Sequence, residues 1–475
     1  MRFSIREIEL FERDVRLRLP LRCGVATLAQ LPQAFVRASV ELENGRRATG
    51  AAAELLAPKW FDRSAALSNE ENFAQLRASL ALARRSYLAG GANTAFGHFI
   101  DNYAPQIATG ALQGMNGLVA CYGPALIDRA LLDALCRALE VSFFQAIRKN
   151  IAAIVAPGWQ ADLGAFDMDG FLESLTPARE IAARHTLGLA DPLTAADQKV
   201  RVGDGLPETL EEVIARYGQR WFKLKLAGEP ASDLERLAAI ASVLDPHFDR
   251  LGEPYHATLD ANEQYDGAGG ALALWRGIKA DRRLARLARS IVFIEQPLKR
   301  HSALATDISD LAEVKPAIID ESDDSLEAFP RARRLGYTGV SSRTCKGIYK
   351  SILNAARCRL WNREEGTERY FMSGEDLMLP AGVSLQQDLA LVSLLGLGHV
   401  ERNGHHYVDG MAALPEDEQQ EFLKTHGDLY EHSHGATRVK IRDGMLQTGS
   451  LDCPGYASRA MPKWQAMRPM ETETK

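Results

Sequence analysis

Over residues 1–55 apolar and polar positions alternate with the period of half-buried strands, most clearly at 5–10 and 33–42. Asn44 and Gly45, in the turn at 43–46, supply the positive φ that a tight hairpin needs, so the region predicts an antiparallel sheet. Between 124 and 147 the spacing becomes helical. Ile127, Leu131, Ala134, Leu135, Ala138 and Leu139 form one stripe, with Asp128, Arg129 and Arg137 off it. Strands followed by helices predict a separate α+β unit.

From about residue 191 the pattern changes again. Short runs rich in apolar and β-branched residues, at 221–226, 258–262, 291–297, 318–321, 339–347, 370–376 and 399–404, alternate with helical stretches. Residues 199–203 read as a weak first strand. Ser232 to Glu235 form a capping box that opens a helix with Leu234, Leu237, Ile240 and Leu244 on one face. This alternation predicts an α/β chain with a (β/α)8-type, TIM-like barrel over 191–430. No low-complexity tract and no repeat beyond the βα period is visible.

With 475 residues, 46% hydrophobic and 25% charged, the chain can bury a large core in two or three domains. A net charge of −6 gives no electrostatic reason to expect nucleic acid. Charges interrupt the first apolar residues, so no signal-peptide core forms, and no run approaches the roughly 20 apolar residues of a membrane span. A cytoplasmic location and no membrane partner are the expectation. The six cysteines are scattered without a Cys-x-x-Cys pair, which argues against a zinc ribbon or a disulfide framework. Cys345 falls in a strand end, where a packing role is favoured over a reactive one.

The chemistry lies in the charged strand ends. In a strand from Phe222 to Leu226, Lys223 and Lys225 share one face, while Phe222, Leu224 and Leu226 share the other. Helices cover the outside of a parallel barrel, so the lysines point inward, where two ammonium groups need anions opposite them. Asp260, Glu295 and Asp320 end the next three strands, about one βα unit apart. Three converging carboxylates repel each other, and a hard divalent cation relieves this, which suits Mg²⁺, with Mn²⁺ as the alternative.

The order Lys-x-Lys at 223–225, Asp-x-Asn at 260–262, Glu-Gln-Pro at 295–297 and Asp-Glu-Ser at 320–322 resembles the enolase superfamily, in its mandelate racemase and muconate-lactonizing branch. The resemblance covers nearly the whole chain. It implies metal-assisted removal of the proton next to a carboxylate, giving an enediolate that the metal stabilises. Racemisation or epimerisation, cycloisomerisation and dehydration all share that step, so the class is isomerase or lyase and the partner a small carboxylate-containing substrate. The metal ligands implied are Asp260, Glu295 and Asp320, with Asn262 on the same strand face as Asp260 and Glu321 beside them. Lys225 is then the acid/base and Lys223 helps bind the substrate carboxylate. A free lysine is protonated at neutral pH, so a base at Lys225 needs like charge beside it, which Lys223 and the metal would supply.

The second acid/base is less clear. A count of about 23 or 24 residues past Asp320, where the muconate-lactonizing type carries a lysine, lands on Arg343 or Thr344. Lys346 follows and is preferred, because an arginine is too basic to exchange protons readily. If Arg343 holds the position, the chemistry is one-sided. Lys350 reads as a surface residue. Strand seven offers Ser373, Glu375 and Asp376. On strand eight Glu401 matches the racemase's glutamate and either hydrogen-bonds the enediolate or pairs with Arg402.

The resemblance further implies that residues 1–190 form an α+β cap over the barrel mouth, and that 431–475 return to it. Cap loops at 21–27 and 55–60 would touch substrate, which makes Arg22 and Trp60 candidate specificity residues. Residues 151–189 depart from the family and read as an insertion, a site cover or a contact within a homo-oligomer. Two other readings stay open. A barrel metal-dependent hydrolase needs an early His-x-His, whereas His432 and His434 lie late, as do His405 and His406, and both pairs read as solvated turns. A catalytically silent binding protein would keep the fold without the chemistry.

Overall fold

The computed structural model describes residues 1–23, 26–156, 158, 161–198 and 200–471. It opens with an antiparallel sheet of β1 (Phe3–Cys23), β2 (Ala26–Leu42) and β3 (Arg47–Leu55). Alternation decides its faces: Ala34, Val36, Ala38, Val40 and Leu42 of β2 are buried, while Arg37, Ser39 and Glu41 between them stay half-exposed. The hairpin at Asn44 and Gly45 is present, with Gly45 at φ 80° and its N–H donating to Leu42 O at 2.9 Å.

The helices α1 (Asn69–Ala89), α2 (Ala95–Leu112), α3 (Gly117–Leu139) and α4 (Phe143–Arg148) follow. The third differs from the expected helix at 124–147. It starts earlier, at an Asn116 cap whose Oδ1 accepts the Val119 N–H at 3.0 Å, and stops where Glu140 turns left-handed at φ 57°. It is also buried nearly all round, because it lies between the sheet and the barrel. Asp128 and Arg129 therefore do not face solvent. Asp128 accepts from the Tyr87 hydroxyl at 2.8 Å, and Arg129 pairs with Glu54 at 3.1 Å. A Cβ on Gly50 would stand 2.2 Å from Ala130 O, so β3 comes this close to α3 only because residue 50 is glycine.

A short helix, α5 (Met168–Ser174), leads into eight parallel strands: β4 (Glu180–Leu187), β5 (Trp221–Lys225), β6 (His256–Asp260), β7 (Ile291–Glu295), β8 (Ala317–Ile319), β9 (Gly339–Ser342), β10 (Phe371–Gly374) and β11 (His399–Glu401). The last pairs with the first, His399 opposite Ala182, and closes the barrel.

The first strand corrects the sequence reading. It lies inside the stretch taken as an insertion, and residues 200–203 form no strand; Val200 is 86% exposed. Lys199, the start of the expected strand, lies outside the described residues. The Val202 and Gly203 N–H groups donate to the Glu208 carboxylate at 3.1 and 3.0 Å, which holds this segment as a loop ahead of α6 (Leu210–Tyr217). The helix after β5, α7 (Pro230–Leu251), also starts before its expected capping box, with Pro230 in its first turn. Asp233 turns back to accept the Ala227 and Gly228 N–H groups at 2.7 and 3.0 Å.

The tail closes the fold. A hairpin of β12 (Tyr430–Ser433) and β13 (Ala436–Val439) precedes β14 (Met445–Gln447), which pairs antiparallel with the start of β4. The last strand, β15 (Arg468–Pro469), joins β1 at the edge of the N-terminal sheet, so that sheet combines strands from early and late in the chain. Among the described residues, no helix is long and apolar enough to cross a membrane.

Candidate active site

The C-terminal ends of the barrel strands bring the charged residues of the sequence together. Lys223 points inward from β5 and is fully buried. Its Nζ lies 3.1 Å from Asp260 Oδ2, 2.8 Å from Glu295 Oε2, 2.8 Å from Glu375 Oε2 and 3.0 Å from Glu401 Oε2. Burial disfavours its charge, but these four carboxylates outweigh burial and hold the ammonium well above the usual lysine range. Lys225, two residues on along the same face, keeps a quarter of its side chain exposed and reaches Asp260 Oδ2 at 2.5 Å.

The carboxylates respond to their neighbours. Burial acts to raise Asp260, but Lys223 and Lys225 together hold it below the ordinary range. Burial and crowding by Asp260 and Glu375 push Glu295 well up. Asp320 is held well down against burial by Arg343 and Lys346. Arg343 grips it in a fork, with Nε 2.9 Å from Oδ1 and Nη2 2.6 Å from Oδ2. The same Nη2 stands 3.7 Å from Glu295 Oε1 and 3.9 Å from Glu401 Oε2, and the guanidinium carbon is 4.9 Å from the centre of the Trp60 ring.

Other expected residues take different roles. Lys346 is fully buried, its amine held by Ser341 Oγ at 2.7 Å, Asp320 O at 3.2 Å and Asp323 Oδ2 at 2.9 Å. Burial lowers its pKa, but Asp323 and Asp320 raise it further, so the group stays an ammonium. Lys350 is no surface residue; it is buried, 3.3 Å from Asp323 Oδ2. Asn262 is not on the strand face of Asp260, because β6 ends at Asp260 and Asn262 turns left-handed at φ 48°. Its amide donates to Glu321 Oε1 at 2.9 Å, and burial, with Asp320 and Glu263 nearby, pushes Glu321 up to about 7.

Glu375 lies below the rim, between Lys223, Arg184 and the Ser373 hydroxyl. Glu401 does not pair with Arg402, which binds Asp376 and Asp388 instead. It accepts from Thr186 Oγ1 at 2.5 Å and from Lys223, and burial fails to raise it because Lys223 and Arg343 hold it well down. His405 and His406 sit in a short helix, Gly404–Tyr407, with His406 buried against His185, so that pair is not a solvated turn. The Cys345 thiol is buried and pushed well up by burial, as befits a packing residue. The side chain of Arg22 lies outside the described residues.

Four site residues escape sequence reasoning. Arg184, on β4, binds Glu375 from beneath the rim, and its neighbour Thr186 binds Glu401. Arg63 of the cap donates to Asn262 O at 2.8 Å and pairs with Glu263 at 2.8 Å. Arg300 holds Trp60 O and Phe61 O at 2.9 and 3.0 Å, which fastens the Trp60 loop to the barrel. The only signal for Arg184 and Thr186 is a polar Arg-His-Thr interruption in an apolar run; Arg63 carries none.

Solved structures share this architecture. A muconate lactonizing enzyme from Mycobacterium smegmatis complexed with muconolactone superposes at a TM-score of 0.60, with 17% identity over 99% of this chain and 100% of that one. The enzyme of the same name from Pseudomonas putida gives 0.57 and 16%, over 98% and 97% of the two chains. An enolase from Bradyrhizobium complexed with magnesium and mandelic acid gives 0.57 and 17%, over 94% of each chain. The chain has the enolase-superfamily fold. At these identities the likeness speaks for the fold alone, and neither a family model nor a curated protein matches the sequence. The Bradyrhizobium structure carries magnesium, so the donors here bear on whether this chain can. Asp260, Glu295 and Asp320 offer oxygen donors alone from three adjacent strand ends, a set suited to Mg²⁺. As the side chains stand, no group of three or more His, Cys, Asp or Glu among the described residues is arranged around one ion. The reason is visible: Lys223 draws Asp260 and Glu295 to itself, and Arg343 draws Asp320. In kind these oxygen donors fit the ion, and Arg343, which holds both oxygens of Asp320, is the side-chain cation in its way.

Proposed function

We propose that this protein removes the proton next to the carboxylate of a small carboxylic acid, using Lys225 as the base and a divalent cation held by Asp260, Glu295 and Asp320. One observation carries the reading. Lys225 is the partly exposed amine of an inward lysine pair and lies against the first of three carboxylates that end successive strands. When bound there, Mg²⁺ or Mn²⁺ would supply the positive charge that stabilises the enediolate left by the departing proton. Lys223 is saturated by four carboxylates, so its part is to keep that cluster assembled rather than to meet substrate.

Strand six lies across the barrel from strand two, so β9 presents the group that faces Lys225. That group is Arg343, since the Lys346 amine is tied to Ser341, Asp320 and Asp323. An arginine does not exchange protons readily. The reaction is therefore one-sided, and cycloisomerisation or dehydration fits better than racemisation. Trp60 and Arg63 bring the cap to the mouth and give the substrate its upper contacts.

The test is a screen of carboxylic acids in D₂O with Mg²⁺. Deuterium should enter the α position of at least one acid, and Lys225→Ala should slow it by about 10² or more. Hydrolysis of an ester or amide with Zn²⁺, without any exchange, would favour the hydrolase. A protein that binds no divalent cation would favour the silent one.

A further inference from the structure

Arg343 stands where an ion shared by the rim carboxylates would stand. One of its nitrogens, Nη2, faces acidic oxygens from three strand ends: Asp320 Oδ2 at 2.6 Å after β8, Glu295 Oε1 at 3.7 Å on β7 and Glu401 Oε2 at 3.9 Å on β11. The guanidinium is buried. A divalent ion of the Mg²⁺ type takes carboxylate oxygens at roughly 2.0 to 2.1 Å, so it needs the oxygens that this fork now holds. A dication and a fixed guanidinium cannot share them, because like charges at such range repel strongly where water is excluded.

Lys223 cannot be the cation that yields. Four carboxylates surround it and its side chain has no exposed surface. Arg343 does have a way out, since the aromatic face of Trp60 lies 4.9 Å from its guanidinium carbon on the cap side. We infer that Arg343 is a tethered cation that competes with the divalent ion for Asp320 and Glu295, and that ion entry drives the guanidinium off them toward Trp60 and the mouth. This rests on the ligand set proposed above. The rim stays neutralised without the ion, the ion binds less tightly than the carboxylates alone would hold it, and its entry presents a guanidinium to an anionic substrate. Ion and carboxylate substrate then favour each other's binding.

Binding of Mn²⁺ to the full chain, read by the loss of the free-ion electron paramagnetic resonance signal, tests this without any turnover. Arg343→Gln should bind Mn²⁺ at least tenfold more tightly than the wild type, and Arg343→Lys, which restores a positive charge, should fall back toward it. If the glutamine variant does not fold, Arg343→Met removes the charge while keeping the aliphatic stem. Unchanged or weaker binding in the uncharged variant, with the wild type binding Mn²⁺, overturns the competition and leaves the ligand set standing. No binding by any of them overturns both.

Discussion

At the scale of single residues, charge overrides burial at the rim, but burial overrides charge at one carboxyl of the cap. Glu54, on β3 of the cap, is pushed up to about 7 by burial, although Arg129 draws it down. Its native pKa exceeds its unfolded one, so the native state binds the extra proton between about pH 4.5 and 7, and stability falls as pH rises through that window. The full shift corresponds to about 3 kcal/mol. Glu54→Gln, which keeps a hydrogen-bonding side chain without the charge, should therefore gain on the wild type from pH 5 to pH 8 in chemical denaturation. A difference that does not vary with pH would refute this. Arg343 gives a second prediction: Arg343→Lys puts a proton-exchanging group across from Lys225, and α-exchange confined to one enantiomer of a chiral substrate should spread to the other, as chiral chromatography after incubation in D₂O would reveal.

At the scale of elements, what could be read from the sequence follows from what alternation reports. The period of two put Lys223 and Lys225 inward, and apolar runs with acidic ends located β6, β7 and β8, because those signals are local. The first strand was hidden, since Arg184 and Thr186 are polar and are made tolerable by partners far along the chain, with His185 between them edge-on to the His406 ring. Asp128, Arg129 and Lys350 misled for the same reason: a charged residue reads as solvated until its distant partner is known. Asn262 misled because nothing local announces that β6 stops at Asp260. Arg184→Met leaves Glu375 with Lys223 and Ser373 alone, and should cost about 3 kcal/mol in urea denaturation, as loss of one partner of a buried pair does. A loss within experimental error would mean that β4 does not support the rim.

At the scale of the whole molecule, β15 joins the N-terminal sheet to complete the cap, and the cap is fastened to the barrel by charge. Arg300 holds the Trp60 loop, Arg63 reaches Asn262 and Glu263, and Arg18 of β1 donates to His406 O at 3.0 Å on the far side of the mouth. Cap and rim are thus one unit, which places Trp60 beside Arg343. The central event of the proposed chemistry is a proton leaving the carbon next to a carboxylate under the influence of Lys225. The most direct measurement follows that carbon by NMR in D₂O with Mg²⁺, in the wild type and in Lys225→Ala. Deuterium uptake should need the divalent ion, be confined to one enantiomer of a chiral acid, and disappear in the variant. Uptake that survives Lys225→Ala, or that runs equally in both enantiomers of the wild type, would contradict that chemistry.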